Sequence, residues 1–298
     1  MKLLSFDVGA TLIKYGIVDD QLNITNRGTV PTPKESFESF SGLIYDVYQQ
    51  CRDEVEGIAM ALPGVVDAET GYCVGSNIMR YEYDRHVAKV LGEICGCKVT
   101  IDNDAKAAVQ AEFHKGALQG CQNAAVFVIG TGIGGGLVIN GQIVRGPHFT
   151  AGEFSFINTE ANNINYPYQI LGECCSTTYL LRTYKERTNS EEQIDGREFF
   201  RRMPDDPIAQ EIFDQLCTNI AVQLYNMYYM LDLEKVAIGG GISAQPIVVE
   251  RIREKFEEVR LASYTGGGRK VELPVEIVNC QFRNDANLIG ACITWGMK

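Results

Sequence analysis

Two glycine-containing turns, about 120 residues apart, hold the residue types in this sequence that are best suited to binding phosphate. Residues 4–13 and 126–139 each read as an apolar strand, a tight turn of small residues and a second strand. The candidate ligand-binding residues are Asp7, Gly9 and Thr11 in the first turn and Gly130, Thr131, Gly132 and Gly134 in the second. Glycine lets a backbone approach a phosphate closely, and successive N–H groups in such a turn form a concavity that binds anions. The pattern predicts two loops around the phosphates of a nucleoside triphosphate, and phosphoryl transfer as the chemistry.

The second turn has five glycines in the seven residues 130–136, and each glycine in a strand costs about 0.5–1 kcal/mol. It is not a P-loop, because no Gly-Lys-Ser/Thr follows, and not a dinucleotide fingerprint, because a strand rather than a helix comes next. In the first turn, Asp7 could hold Mg²⁺ directly or through water, and Thr11 could offer its hydroxyl to a phosphate. A plain hairpin turn is the alternative for either segment.

Asn103 and Asp104 lie where a predicted strand ends and a predicted helix begins. Ligand sites concentrate at such junctions in α/β folds, and a carboxylate there could accept the proton of an attacking hydroxyl, with Asn103 orienting the acceptor. The equally weighted alternative is that Asp104 only caps the helix that starts at Ala105.

Two further segments contain candidate binding residues. Glu153, after Ala151 and Gly152, could hold a substrate hydroxyl, or it is an ordinary surface acid. Gly240, in the run 239–241, could let an adenine pack flat on the backbone, or it is a turn that enters a helix.

A chain of 298 residues exceeds the size of most single cores, so two domains are expected to position these residues. Strands are predicted at 3–6, 13–18, 22–25, 57–61, 65–67, 72–74, 99–102, 124–129, 134–139, 142–144, 236–238 and 275–278, with the prolines at 31 and 33 breaking the chain. Helices are predicted at 34–52, 83–94, 105–115, 177–186, 208–231, 246–259 and 286–295. The pattern is α/β throughout, with antiparallel hairpins opening each half.

The net charge, the lengths of the apolar runs and the distribution of the cysteines argue against several classes of protein. The formal charge of −11 argues against nucleic acid as a partner, because nucleic-acid binding needs a basic surface. No run approaches the ~20 apolar residues of a membrane span, and the start of the chain is too short an apolar stretch for a signal peptide. The ten cysteines are dispersed without a Cys-x-x-Cys pair, which favours reduced thiols and a cytosolic, cytoplasmic location.

Each of these motifs is weak evidence alone, but together they identify a resemblance to a known family. The sequence resembles the ROK (repressor, open reading frame, kinase) sugar kinases of the actin/hexokinase-like superfamily. The matching stretches occur in family order and cover nearly the whole chain: residues 6–11, 61–67, 102–105, 130–136, 151–153, 239–242 and 284–291.

The resemblance implies an α/β fold of two ribonuclease-H-like (actin/hexokinase-type) domains with an inter-domain cleft: 1–117 plus 285–298, and 118–284. It implies phosphorylation of a hexose or hexose derivative by ATP and Mg²⁺, usually at the 6-hydroxyl, by a homodimer. In this likeness Asp104 is the general base and the glycine turns and Gly240 bind the nucleotide. The residues that would bind the sugar are Gly64, Asn77, Asn103, Asp104 and Glu153.

The chain departs from the family pattern beside the expected sugar site. Ser155 and Phe156 stand where family members with structural zinc have Gly-His, and the region near Cys174 lacks their cysteine spacing, so no zinc is expected. A family glutamate that contacts the sugar falls on Gly172, with Glu173 one place off. These changes favour a substituted or modified hexose, such as a β-glucoside or N-acetylmannosamine, over free glucose alone.

The alternative function is a non-catalytic sugar-sensing regulator of the same family. Repressors of the family begin with a helix-turn-helix module, whereas this sequence starts on the first phosphate-binding strand, and its negative charge disfavours DNA. A sensor would not need a base at Asp104.

Overall fold

The computed structural model describes residues 1–76, 79–82, 84–159, 170–263 and 273–297. The chain forms two compact units. Unit 1 comprises Met1–Gly116, Arg145–Ala151 and Asn284–Lys298, and unit 2 comprises Ala117–Val144 and Gly152–Arg283.

Each unit is built on a five-stranded sheet. In chain order the strands are β1 (Lys2–Val8), β2 (Leu12–Asp19), β3 (Ile24–Pro31), β4 (Gly57–Leu62), β5 (Val65–Asp67), β6 (Tyr72–Gly75), β7 (Lys98–Asn103), β8 (Ala124–Ile129), β9 (Ile133–Ile139), β10 (Gln142–Val144), β11 (Lys235–Gly239) and β12 (Glu276–Asn279). The sheet of unit 1 has the order β3-β2-β1-β4-β7 and that of unit 2 the order β10-β9-β8-β11-β12. In both, an antiparallel meander of three strands continues into two parallel strands, so the second half repeats the topology of the first.

Helices cover these sheets. They are α1 (Phe37–Gln49), α2 (Val87–Cys95), α3 (Asp104–Lys115), α4 (Leu171–Cys174), α5 (Thr177–Thr188), α6 (Gly196–Arg202), α7 (Pro207–Leu231), α8 (Pro246–Ala262) and α9 (Ala286–Trp295). Short 3₁₀ segments lie at Arg80–Glu82, Phe154–Phe156, Met203–Asp205, Gly241–Ala244 and Arg283–Asp285. Within the residues described, none of the helices combines the length and apolarity needed to cross a membrane.

The α/β class and two multi-stranded sheets predicted from the sequence are confirmed, and most predicted elements lie within a few residues of the observed ones. In unit 1 the core forms between the sheet and helices α1 and α2. On the opposite face, α9 packs so closely on α3 that a Cβ at Gly290 would lie 1.7 Å from the carbonyl oxygen of Ala107. The C-terminal helix of the chain is therefore an integral part of unit 1.

Two predicted elements differ most from the observed ones. The third strand runs from Ile24 to Pro31 instead of ending at residue 25; it is an edge strand, where proline is tolerated. The helix predicted at 83–94 begins at Val87, because Asp84 has a φ of +53° and Arg85 forms a bridge to β6. Residue 83 itself lies outside the described part of the chain.

Helices α4 and α6 were missed by the sequence analysis. They have four and seven residues, which is too short to display a helical period. The N-cap of α6 was a usable signal, since the Asp195 carboxylate accepts a hydrogen bond from the backbone N–H of Glu198.

Candidate active site

The first turn joins β1 to β2 and presents its tip to solvent. The N–H of Gly9 donates to the carbonyl of Leu12 at 3.1 Å, while Ala10 and Thr11 are exposed. The buried hydroxyl of Thr32 donates to the carbonyl of Gly9 at 2.7 Å and so holds the turn from the side. The turn is fixed by the protein, and its exposed tip is open to a ligand.

Asp7 is the second-last residue of β1, and its side chain is only 10% exposed. One carboxylate oxygen accepts from Lys14 Nζ at 3.0 Å and the other from Asn287 Nδ2 at 2.8 Å. These contacts orient the carboxylate and use about half of its acceptor capacity.

The second turn joins β8 to β9 and is held in the same manner. The N–H of Gly130 donates to the carbonyl of Gly132 at 2.9 Å, and the hydroxyl of Thr178 donates to the carbonyl of Thr131 at 2.7 Å. The N–H of Thr177, at the start of α5, donates to the carbonyl of Gly130 at 2.9 Å. In each unit a threonine from a neighbouring element therefore fixes the glycine turn.

The glycines of residues 130–136 divide into two groups. A Cβ at Gly135 would lie 2.4 Å from the ring of Phe154, so this glycine is required by packing within unit 2. A Cβ at Gly152 would lie 2.7 Å from the Cα of Gly136. By contrast, a Cβ at Gly132 would meet no atom within 4 Å, so nothing in the protein's own packing requires a glycine there. Gly134 lies in β9, opposite Val128.

Asn103 and Asp104 lie at the end of β7 and the start of α3, as the sequence predicted. The N-cap is Asn103: its Oδ1 accepts from the N–H of Lys106 at 3.0 Å, and its Nδ2 donates to the carbonyl of Gly64 at 2.8 Å. Asp104 is the first helical residue, and one of its oxygens accepts from the N–H of Ala105 at 2.8 Å. The alternative that Asp104 is the cap of a helix starting at Ala105 is wrong, because Asn103 takes that position.

Asp102, directly before this pair, is fully buried and forms an ion pair with Arg145. Arg145 Nη2 donates to Asp102 Oδ2 at 2.7 Å, its Nη1 donates to the other oxygen, and the hydroxyl of Thr294 adds a bond at 2.7 Å. Burial alone would lower the pKa of Arg145, but the hydrogen bonds and charge of Asp102 outweigh it and raise that pKa. Arg145 therefore stays charged, and sequence analysis missed it because its pairing partner is 43 residues away.

Glu153 is half-buried at the start of the 3₁₀ segment Phe154–Phe156. Gly152, with a φ of +75°, packs against the backbone of β9, and Phe154 stacks on Phe127 with ring centroids 5.4 Å apart. These contacts fix the backbone of Glu153 relative to the sheet of unit 2.

The positions that depart from the family pattern have different surroundings. A Cβ at Gly172 would lie 2.2 Å from the hydroxyl oxygen of Ser155, so a larger side chain at residue 172 would require the serine side chain to move. Glu173 is held by Arg182, which donates to its carboxylate at 2.9 Å and to its carbonyl at 2.8 Å. Phe156 is 61% exposed.

Gly240 follows β11 with a φ of +89°, and a Cβ there would lie 2.3 Å from the carbonyl oxygen of Ile129. It opens the 3₁₀ segment Gly241–Ala244, so it is a turn into a helical segment. Next to it lies a cavity of about 440 Å³, within the size range of small-molecule sites. Its lining comes from the second turn, α5, α6 and the 3₁₀ segment: Gly130, Thr131, Thr177, Asp195, Gly196, Arg197, Phe200, Gly241, Ile242 and Gln245.

The predicted residues are thus grouped within the two units. Unit 1 brings together Gly64 and Asn103 by a hydrogen bond, and unit 2 brings Gly130 and Thr131 to one cavity beside Gly240. Asn77 lies outside the described residues. Thr32, Thr178 and Asn287 also shape the site and were missed, because nothing local in the sequence marks a side chain that bonds to a distant turn.

Comparisons with known proteins agree on the family and the class of activity. The model of the ROK family matches residues 3–297. A β-glucoside kinase of Listeria monocytogenes is 30% identical over 297 residues, which cover 98% of this chain and 96% of that protein.

Solved structures of similar proteins confirm the hexokinase-like fold. A ROK hexokinase from Thermus thermophilus superimposes with a TM-score of 0.80 at 26% identity, covering 99% of this chain and 97% of that one. A ROK family protein from Streptococcus pneumoniae in complex with sucrose gives a TM-score of 0.85 at 29% identity. The match covers 99% of this chain and 98% of that one. From its motifs, its fold and these relatives, the chain belongs to the ROK family and is a sugar kinase.

Proposed function

We propose that this kinase transfers the γ-phosphoryl group of ATP to the 6-hydroxyl of a hexose or hexose derivative, with Asp104 as the general base. The observation that carries the proposal is that Asn103, and not Asp104, is the N-cap of α3. Because Asn103 caps the helix, the carboxylate of Asp104 is not needed as a cap and can accept the proton of the attacking hydroxyl. By the resemblance to the family, Gly64, Asn103 and Glu153, with Asn77, would contact the hydroxyls of the sugar.

The two glycine turns would hold the phosphates of ATP through backbone N–H groups and the hydroxyls of Thr11 and Thr131. The tip of each turn is exposed, and a threonine hydroxyl bonded to a turn carbonyl holds each turn in place, which supports a phosphate-binding role for each turn. The cavity beside Gly240 is of a size to take the adenosine part of the nucleotide.

Asp7 fits the ligand set expected for Mg²⁺ in such a site. Mg²⁺ keeps several waters and is usually bound by one or two carboxylates together with substrate phosphates. A single oriented carboxylate with acceptor capacity left beyond Lys14 and Asn287 matches that description, directly or through water. Bound there, the cation would neutralise charge on the β- and γ-phosphates.

The sugar that we propose carries a substituent or modification, as a β-glucoside or N-acetylmannosamine does. Gly172 cannot be replaced by the family's glutamate without displacing Ser155, and Glu173 is engaged by Arg182. A site lacking that carboxylate loses a polar contact to a free sugar, while exposed Phe156 offers an apolar surface to a substituent. The β-glucoside kinase of Listeria monocytogenes among the relatives supports this class.

A kinetic panel tests the proposed substrate. ADP release would be followed by a coupled assay with Mg-ATP and a series of hexoses, N-acetylhexosamines and β-glucosides. We expect a substituted hexose to exceed glucose in kcat/KM by at least roughly tenfold, the scale of discrimination by one pocket contact. A panel in which free glucose has the highest kcat/KM would contradict the substrate class but not the kinase.

The same panel separates the kinase from the sensor. A protein that gives no turnover with any sugar, yet is stabilised against heat by one of them, would be a sugar-sensing regulator. The homodimeric state and the cytoplasmic location are parts of the same proposal. So are the domain boundaries at residues 117 and 284, although the segment Arg145–Ala151 packs with unit 1.

A further inference from the structure

Asp102 has no role in the proposed reaction, although it lies only two residues before the proposed base Asp104. Its carboxylate is fully buried and accepts four hydrogen bonds, two on each oxygen. Oδ1 accepts from Arg145 Nη1 and from the backbone N–H of Asn103, and Oδ2 accepts from Arg145 Nη2 and the hydroxyl of Thr294. A carboxylate offers about four acceptor positions, so this side chain has all of them occupied and is fixed in rotation.

Arg145 reaches this position from a different part of the chain. It follows β10 directly and begins the segment Arg145–Ala151, which packs with unit 1 and leads into Gly152 and Glu153. The N–H of Ala151 donates to the carbonyl of Arg145 at 3.2 Å, which closes the segment into a loop. The side chain of Arg145 is 20% exposed, and its guanidinium interacts electrostatically with Asp67 and Glu69 as well as with Asp102.

We infer that Arg145 is a positioning residue for phosphoryl transfer. By donating a hydrogen bond to each oxygen of Asp102, it fixes the position of the end of β7 and therefore the direction of the Asp104 carboxylate. The chain of contacts is short, because the Asp102 carboxylate bonds the amide of Asn103, and Asn103 caps the helix on which Asp104 is the first residue. The inference rests on the proposed function, since it needs Asp104 to be the base.

The pair of parallel N–H···O bonds is the feature to test. Lysine at residue 145 keeps the positive charge beside the buried carboxylate but cannot make both bonds at once. We expect Arg145→Lys to lower kcat of the folded enzyme at least roughly tenfold, as misplacement of a reacting group by a fraction of an ångström does, with KM for ATP unchanged. Arg145→Met should lower kcat further, and if it does not fold, Arg145→Lys alone decides the matter.

The matched control is Arg27→Met. Arg27 also makes two parallel bonds to a carboxylate of unit 1, that of Asp285, at 2.6 and 3.0 Å, but this pair is about half exposed and far along the chain from Asp104. It should keep the wild-type kcat. Each activity is divided by the fraction of the protein that is folded at the assay temperature, which is measured from the thermal unfolding transition.

The outcomes separate the inference from the function on which it rests. If Arg145→Lys lowers the unfolding temperature but keeps the wild-type kcat while Asp104→Asn abolishes turnover, Arg145 is only structural and the inference is overturned. If Asp104→Asn itself keeps turnover, Asp104 is not the base and the inference is overturned with it. A loss of kcat in Arg145→Lys and not in Arg27→Met supports it.

Discussion

Asp104→Asn should lower kcat by about 10²–10⁴-fold, the contribution typical of a general base. Asparagine is nearly isosteric with aspartate, and its side-chain oxygen can still accept the hydrogen bond from the N–H of Ala105. Because Asn103 rather than Asp104 is the N-cap, the substitution should leave α3 and the stability of the fold intact. The expected result is loss of turnover with retained binding of ATP and sugar, measured by steady-state kinetics and equilibrium titration.

The matched control for this substitution is Asp53→Asn. Asp53 is 96% exposed in unit 1, with a weak pair to Arg52 at 3.7 Å. It removes the same charge from the same unit and should leave kcat unchanged. A variant Asp104→Asn with wild-type turnover would show that another group accepts the proton.

Gly132→Val should lower kcat/KM for ATP by about 100-fold, the cost of displacing a reacting group by roughly 1 Å. A Cβ at this position meets no atom of the protein within 4 Å, and its φ lies outside the left-handed region, so valine should not disturb the fold. Its methyl groups would instead fill the space in which we propose that the phosphates lie. The measurement is kcat/KM for ATP at saturating sugar, together with the unfolding temperature.

Gly135→Ala is the contrasting variant in the same run of glycines. Its Cβ would lie 2.4 Å from the ring of Phe154 and 2.5 Å from the carbonyl of Val126, so it should lower stability by about 1–3 kcal/mol. Wild-type kinetics for Gly132→Val would refute the phosphate-binding role of the second turn. An unfolding temperature lowered equally in both variants would refute the division into packing and ligand-facing glycines.

Secondary-structure elements were predicted well from the sequence where a hydrophobic periodicity continues along the whole element. The long helix α7 and the terminal helix α9 were confirmed nearly to their ends, because sustained periodicity leaves no competing interpretation. The repeat of the two hairpins, which first indicated two similar units, was also confirmed.

The candidate site was predictable only as far as local signals extend. Asn103 and Asp104 are both good N-cap residues, and which of them caps α3 depends on a contact with Gly64, 39 residues earlier in the chain. Similarly, Gly132 and Gly135 look alike in the sequence, and only the position of Phe154 distinguishes them. Arg145 carried no local signal at all, since its role depends on Asp102 and Thr294.

Transfer of the phosphoryl group to the 6-hydroxyl is tested by the identity of the product, read by phosphorus NMR after turnover with ATP and the preferred sugar. We expect a sugar phosphomonoester that forms in step with ADP and whose phosphorus signal is split by the two protons of carbon 6. Release of inorganic phosphate instead, or a phosphorus coupled to the single proton of a secondary carbon, would contradict transfer to the 6-hydroxyl.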